Sequence, residues 1–247
     1  MEFIFIFLLG ITSASITSFL VAMDSRNWKN ISSRSKCSCG ANIKSKNLIP
    51  IIGSVLAKFK CYSCNEKFSK NMFISELSAF FISISIFLIY NKGYLIDTNS
   101  ILSINFFIII ISSAFLSLII YEDITSFTVS DIYSILGILP LLYVFKNIYP
   151  FLAVVGAIYV FKLLADNYLA FRIKDASAEA MGEGDIIVFG LLGIFLTNPQ
   201  DILNSIILIS ILGIIFKYIF FKKDNFIPFV PAIIFGTIIY TIFGTFL

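Results

Sequence analysis

The chain has 247 residues, 58% of them hydrophobic and 13% charged, with a mean hydropathy of +0.95 and a formal net charge of +3. This composition lies far outside the soluble range and defines an integral membrane protein. Histidine is absent, which excludes Ser-His and Cys-His nucleophilic chemistry and any histidine-ligated metal; no nucleic-acid partner is expected.

Eight apolar segments follow one another, roughly 3–23, 73–91, 101–121, 132–145, 149–165, 186–197, 202–221 and 226–246. About 20 apolar residues cross a bilayer core as a helix. The fourth, fifth and sixth segments are shorter, so they must borrow flanking residues, tilt, or sit where the bilayer is thinned. Pro140, Pro228 and Pro231 mark kinks or breaks inside these segments. The 28 phenylalanines serve lipid contact and packing. The predicted fold is all-α: a polytopic integral membrane helical bundle of about eight transmembrane helices with a small cytoplasmic cysteine-bearing loop domain. Its divisions are a first transmembrane span at 1–23, the cysteine-containing loop domain at 24–72 and a transmembrane domain at 73–247.

Orientation follows from the basic residues. Ten lie between the first two segments, from Arg26 to Lys70; Lys162, Arg172 and Lys174 precede the sixth, and Lys217, Lys222 and Lys223 precede the eighth. Of the 18 Lys and Arg residues only Lys92 and Lys146 fall on the opposite face, so the basic face is predicted to be cytoplasmic and both termini external. Residues 1–23 lack a basic leading region and are followed by a basic stretch, which suits a retained first span with an external N-terminus. The basic loop sets topology rather than a lipid-binding site.

The four cysteines fall in that first loop as Cys37-Ser38-Cys39-Gly40, then 21 residues on as Cys61-Tyr62-Ser63-Cys64. Two close pairs on a reducing face point to a metal clip rather than disulfides. Four thiolates can hold tetrahedral Zn²⁺, which would staple a domain too small for a core of its own. The first pair is one residue shorter than a Cys-x-x-Cys knuckle. Farther along, Glu76 near the start of the second segment is expected to pair with a Lys of the basic loop.

Two carboxylates stand where apolar segments meet polar ones. Asp123 closes the third segment, and Asp185 opens the sixth within Met181-Gly182-Glu183-Gly184-Asp185. Ionisable groups at a membrane segment are functional candidates by default. Gly182 and Gly184 lack a Cβ, so the backbone can turn tightly and a neighbour can approach closely. Two converging aspartates can share one proton, one acting as general base on water and the other polarising a carbonyl. Each taken singly also fits an ordinary helix-end cap. Glu122 and Asp131 compete as the first-site carboxylate, and spacing does not choose among them.

In combination these segments resemble the bacterial type IV prepilin peptidases, a family of GxGD aspartyl proteases. Tyr121-Glu122-Asp123 through Ser130-Asp131 resembles the family's first aspartate segment, with Ser130 in place of Pro; Met181 through Asp185 matches the second without a gap. Ile227-Pro228-Phe229-Val230-Pro231 resembles an Ile-Pro-Phe-Gly-Pro near the last span. Ser18-Phe19-Leu20, Ile49-Pro50 and Glu76 find counterparts as well. The resemblance implies Asp123 and Asp185 as catalytic residues, with Asp131, Gly182 and Gly184 in support. It implies an aspartic endopeptidase of the bacterial inner membrane, with its active site at the cytoplasmic face and prepilins or type II secretion pseudopilins as substrates. In bifunctional members the cysteine loop accompanies N-methylation of the cleaved pilin by S-adenosylmethionine; no methyltransferase residue or nucleotide loop is recognisable here, and the cofactor site is unassigned. Two other classes remain: an ion-coupled transporter or channel using intramembrane carboxylates, and a non-catalytic assembly protein of the pilus machinery.

Overall fold

The computed structural model describes residues 2–24, 37, 39–43, 45–67, 70–91, 104–173, 181–220 and 228–244. Arg26, Lys29, Arg34, Lys36, Lys44, Lys92, Lys174, Lys222 and Lys223, together with Asp175, Glu179 and Ile227, lie outside the described residues.

Helix α1 runs Glu2–Asp24, and a single 3-10 turn, Ser45–Leu48, precedes the short α2, Ile52–Leu56. Then come α3 (Lys70–Tyr90), α4 (Ile104–Ser126), α5 (Asp131–Phe145), α6 (Ile148–Ile173), α7 (Glu183–Phe195), α8 (Pro199–Phe220) and α9 (Val230–Phe243). Among the described residues each of the eight apolar segments thus holds a helix, and the protein is an all-α multi-pass membrane protein. Among the described residues, five helices are long and apolar enough to cross a membrane: α1, α3, α4, α6 and α8.

The fifth segment borrows flanking residues, one of the ways open to a short apolar run: α6 has 26 residues. It outruns its apolar stretch because Lys162 and Asp166, one helical turn apart, form a 2.6 Å ion pair that neutralises charge on the helix itself. The last segment is shorter than its apolar run, since α9 begins only at Val230. Pro228 lies before the helix and Pro231 in its first turn, where a missing N–H costs nothing. Pro140, by contrast, lies within a continuous α5.

Packing follows chain order with one departure. Helix α1 lies against α3 and α4, α3 against α4, and α4 against α5; α7 is gripped by α5 and α6, and α9 by α8. The departure is that α9 also packs on α3, α4 and α7, which brings the end of the chain back into the middle. Short helices α7 and α9 form the interior: α7 buries Ile186, Val188, Phe189, Leu191, Leu192 and Ile194, and α9 buries Val230, Ala232, Ile233 and Ile234. The long α6 and α8 keep most of their apolar side chains on the outside, as lipid-facing helices do.

Between α1 and α4 the contact is made by small polar residues. Thr17 Oγ1 and Ser117 Oγ are 2.8 Å apart, and Ser13 Oγ donates to the Ile110 carbonyl at 3.4 Å. Small side chains let the backbones approach, and the hydroxyls remain satisfied away from water. Glu76 does not take a basic-loop lysine as its described partner. Its buried carboxylate accepts the Ser18 hydroxyl of α1 and, at 2.7 Å, the Ile51 backbone N–H. Phe59 stacks edge-on against Phe73 of α3, with ring centroids 5.0 Å apart. These two contacts seat the cysteine-bearing segment on the first turns of α3.

Candidate active site and metal centre

Length explains where the polar site forms. A 13-residue α7 and a 14-residue α9 extend only about 20 Å each, short of a hydrocarbon core of about 30 Å. Their first turns carry N–H groups with no partner inside the helix, and in apolar surroundings these need acceptors. Carboxylates provide them. Val230 N–H, at the start of α9, donates to Asp123 Oδ2 at 2.9 Å, and Asp123, three residues from the end of α4, is only 5% exposed. Asp185, in the first turn of α7, receives a hydrogen bond from the Gly182 backbone. The two aspartates lie close enough for their charges to repel. One locus, buried at Asp123 and half-buried at Asp185, is therefore built from the end of α4 and the beginnings of α7 and α9.

The geometry separates the carboxylates that spacing left open. Asp123 is the buried one. Glu122, beside it, turns away and accepts the Ser130 backbone N–H at 3.1 Å, closing the loop between α4 and α5. Asp131 is exposed at the first residue of α5, where its charge favours the helix N-terminus.

The two glycines divide likewise. Gly182 has an ordinary φ of −67°, and a Cβ there would meet only Asp185 Oδ2 at 3.7 Å, so the expected tight turn does not need it. Gly184 is the crowded position. A Cβ on it would stand 2.7 Å from Val129 Cγ1 and 3.1 Å from the Val129 carbonyl oxygen. The missing side chain lets the α4–α5 loop press on α7 one residue before Asp185.

Sequence reasoning singled out the Pro228–Pro231 stretch without giving it a role. That role is carried by a backbone atom, the Val230 N–H, which no side-chain pattern reveals. The proline spacing was the available signal, because it marks where a helix must start.

The cysteine segment folds as two turns. Gly40 N–H donates to the Cys37 carbonyl at 2.8 Å, and Gly40 takes φ +81°, a conformation that glycine adopts freely. In the second turn Asn65 N–H reaches the Cys61 carbonyl at 3.0 Å, Cys61 N–H reaches the Glu66 carbonyl at 2.8 Å, and Lys60 bridges Lys67 antiparallel. The four Sγ atoms of Cys37, Cys39, Cys61 and Cys64 all lie within 4.8 Å of one another, with Cys37 and Cys64 at 3.6 Å. Zn–S bonds of about 2.3 Å place tetrahedral sulfurs about 3.8 Å apart. The donor set fits zinc, and the shortened first pair converges as well as the second. The Glu66 backbone amide pulls the Cys64 thiol downward, while desolvation and the sulfurs of Cys39, Cys37 and Cys61 push it up, to about 12. In the metal-free cluster that thiol keeps its proton.

Fold and site together define a multi-pass membrane protein with two neighbouring carboxylates, Asp123 buried and Asp185 half-buried, and a thiol cluster beside the bundle. The family model for the bacterial peptidase A24 N-terminal domain matches residues 8–90, from the second turn of α1 to the last residue of α3. The match covers about a third of the chain, 83 of its 247 residues. It takes in Ser18, the four cysteines and Glu76; Asp123 and Asp185 lie beyond it. Neither the curated proteins nor the solved structures contain a match.

Proposed function

We propose that the protein is an intramembrane aspartyl endopeptidase that removes the short basic leader from type IV prepilins or type II secretion pseudopilins. The observation that carries this reading is that buried Asp123 and half-buried Asp185 lie within reach of each other's charge, with the backbone of α9 holding Asp123.

Peptide hydrolysis needs one carboxylate and one carboxylic acid at that locus. The carboxylate takes a proton from water as the water oxygen attacks the scissile carbonyl carbon. The carboxylic acid donates its proton to the carbonyl oxygen. Collapse of the tetrahedral species breaks the C–N bond, the leaving nitrogen takes a proton, and the pair returns to its singly protonated state. The Val230 N–H fixes the orientation of Asp123, so that freedom is not lost anew in each cycle. Asp131 and Glu183, both exposed, and half-buried Glu122 give the approach a negative potential suited to a basic leader.

The remaining assignments belong to the same proposal. The protein resides in the bacterial inner membrane with the pair at the cytoplasmic face, and Cys37, Cys39, Cys61 and Cys64 hold one structural zinc that braces the loop. N-methylation of the new N-terminus by S-adenosylmethionine is a separate activity, carried only by the presence of the cysteine-bearing domain. A transporter would instead place carboxylates along a path across the bilayer; Asp123 and Asp185 share one level, at the end of α4 and the start of α7. Cleavage of a candidate prepilin in membranes by the wild type and by Asp185→Asn tests the proposal.

A further inference from the structure

Glu66 carries no role in the proteolytic reading, yet it stands against the thiol cluster. Its Oε2 lies 3.9 Å from Cys37 Sγ and 3.9 Å from Cys64 Sγ, over the edge those two sulfurs make at 3.6 Å. Its backbone is fixed in the second turn, because its carbonyl receives the Cys61 N–H at 2.8 Å. The carboxylate therefore approaches from the same knuckle that supplies Cys61 and Cys64. With Zn–O near 2.1 Å and Zn–S near 2.3 Å, a carboxylate oxygen and a thiolate sulfur on one tetrahedral zinc are about 3.6 Å apart. The observed spacing is within a few tenths of an ångström of that value.

Two of the four cysteines are exposed, Cys39 and Cys64, and of these Cys39 shares with Cys37 a Cys-x-Cys bite that leaves little slack in the chain. We propose that Glu66 is a reserve zinc ligand, which takes the fourth coordination place when the Cys39 thiolate is withdrawn. The exchange conserves charge, since one anionic donor replaces another, and Lys60 and Lys67 flank the knuckle in either state. The site thus keeps its metal, and the loop its brace, through loss of an exposed thiolate. This inference rests on the four-cysteine zinc reading given above.

The test uses the purified full-length protein and reads metal content, competition with a chelator, and the thiolate charge-transfer intensity after Co²⁺ substitution. Wild type and Glu66→Gln should each hold about one metal with four thiolates. Cys39→Ser should keep about one metal, bound roughly ten- to a hundredfold more weakly, with charge-transfer intensity lower by about a quarter. Cys39→Ser combined with Glu66→Gln should lose it, although each change alone is tolerated. The inference is overturned if Cys39→Ser empties the site as completely as Cys61→Ser, or if the double variant holds metal as firmly as Cys39→Ser. A wild type without metal would instead sink the zinc reading, and the reserve ligand with it.

Discussion

Replacing Gly184 by Ala should slow cleavage far more than it destabilises the protein. The added Cβ would stand 2.7 Å from Val129 Cγ1, 2.8 Å from Val129 Cβ and 3.1 Å from the Val129 carbonyl oxygen, whereas ordinary contact begins at 3.4 Å. Something must therefore move by about 0.7 Å. Val129 is β-branched, so rotation about χ1 gives little relief, and its carbonyl moves only with the loop. The movement falls on the α4–α5 loop or on the first turn of α7, and Asp185 is the next residue. Overpacking of this kind costs about 1–3 kcal/mol, which a buried bundle tolerates. Displacing a reacting group by about 1 Å costs on the order of 100-fold in rate. The assay is cleavage of a candidate prepilin in membranes, normalised to inserted protein, with thermal stability measured in parallel. Val129→Gly removes both clashing side-chain carbons, so adding it to Gly184→Ala should recover much of the lost rate. Wild-type cleavage by Gly184→Ala, or a loss that Val129→Gly leaves untouched, would refute the reasoning.

Further outcomes follow from the same geometry. Glu122→Gln, whose parent carboxylate braces the loop through Ser130, should lower cleavage far less than Asp123→Asn; equal losses would mean that the first carboxylate has been misassigned. Glu76→Ala leaves the Ser18 hydroxyl and the Ile51 N–H without their acceptor, costing about 1–3 kcal/mol locally, so limited proteolysis between residues 39 and 67 should quicken; unchanged proteolysis would contradict the seating role. Because the Cys64 thiol is pushed up to about 12, zinc must displace its proton, and apparent zinc affinity should rise from pH 6 to pH 8; chelator competition giving a flat profile would tell against thiolate ligation. A reporter fused within residues 40–60 should read cytoplasmic and one at Leu247 external, and a cytoplasmic Leu247 would mean that one of the short helices does not cross.

Much of the architecture is legible along the chain because a membrane reduces folding to a one-dimensional signal. Every apolar run must be a helix, since lipid offers no other partner for the backbone. Segment 73–91 becomes α3, 132–145 becomes α5 and 186–197 becomes α7, each within a few residues. Ends are legible only where the signal is itself apolar. The extension of α6 rests on Lys162 pairing with Asp166, and the late start of α9 on Pro228 and Pro231. What the sequence hides are contacts between residues far apart in it. Val230 and Asp123 are separated by 107 positions, and the donor is a backbone amide. Glu76 stands out in the sequence as an acid at a segment start and suggests a lysine partner, but its described partners, Ser18 and the Ile51 amide, lie 58 and 25 positions away. The pressure of Val129 on Gly184 needs the α5–α7 packing before it exists at all, and Glu66 looks like any loop acid until its carboxylate is seen against two sulfurs.

The central claim is that Asp123 and Asp185 act as one proton-sharing pair on a peptide bond. The most direct measurement is the rate of prepilin cleavage in membranes by wild type, Asp123→Asn, Asp185→Asn and the double variant, at matched levels of inserted protein. The account predicts a loss of at least about 1000-fold in each single variant, with no further loss in the double variant, because residues that act as a unit fail together. Cleavage at the wild-type rate by either single variant, or losses that multiply in the double variant, would contradict it.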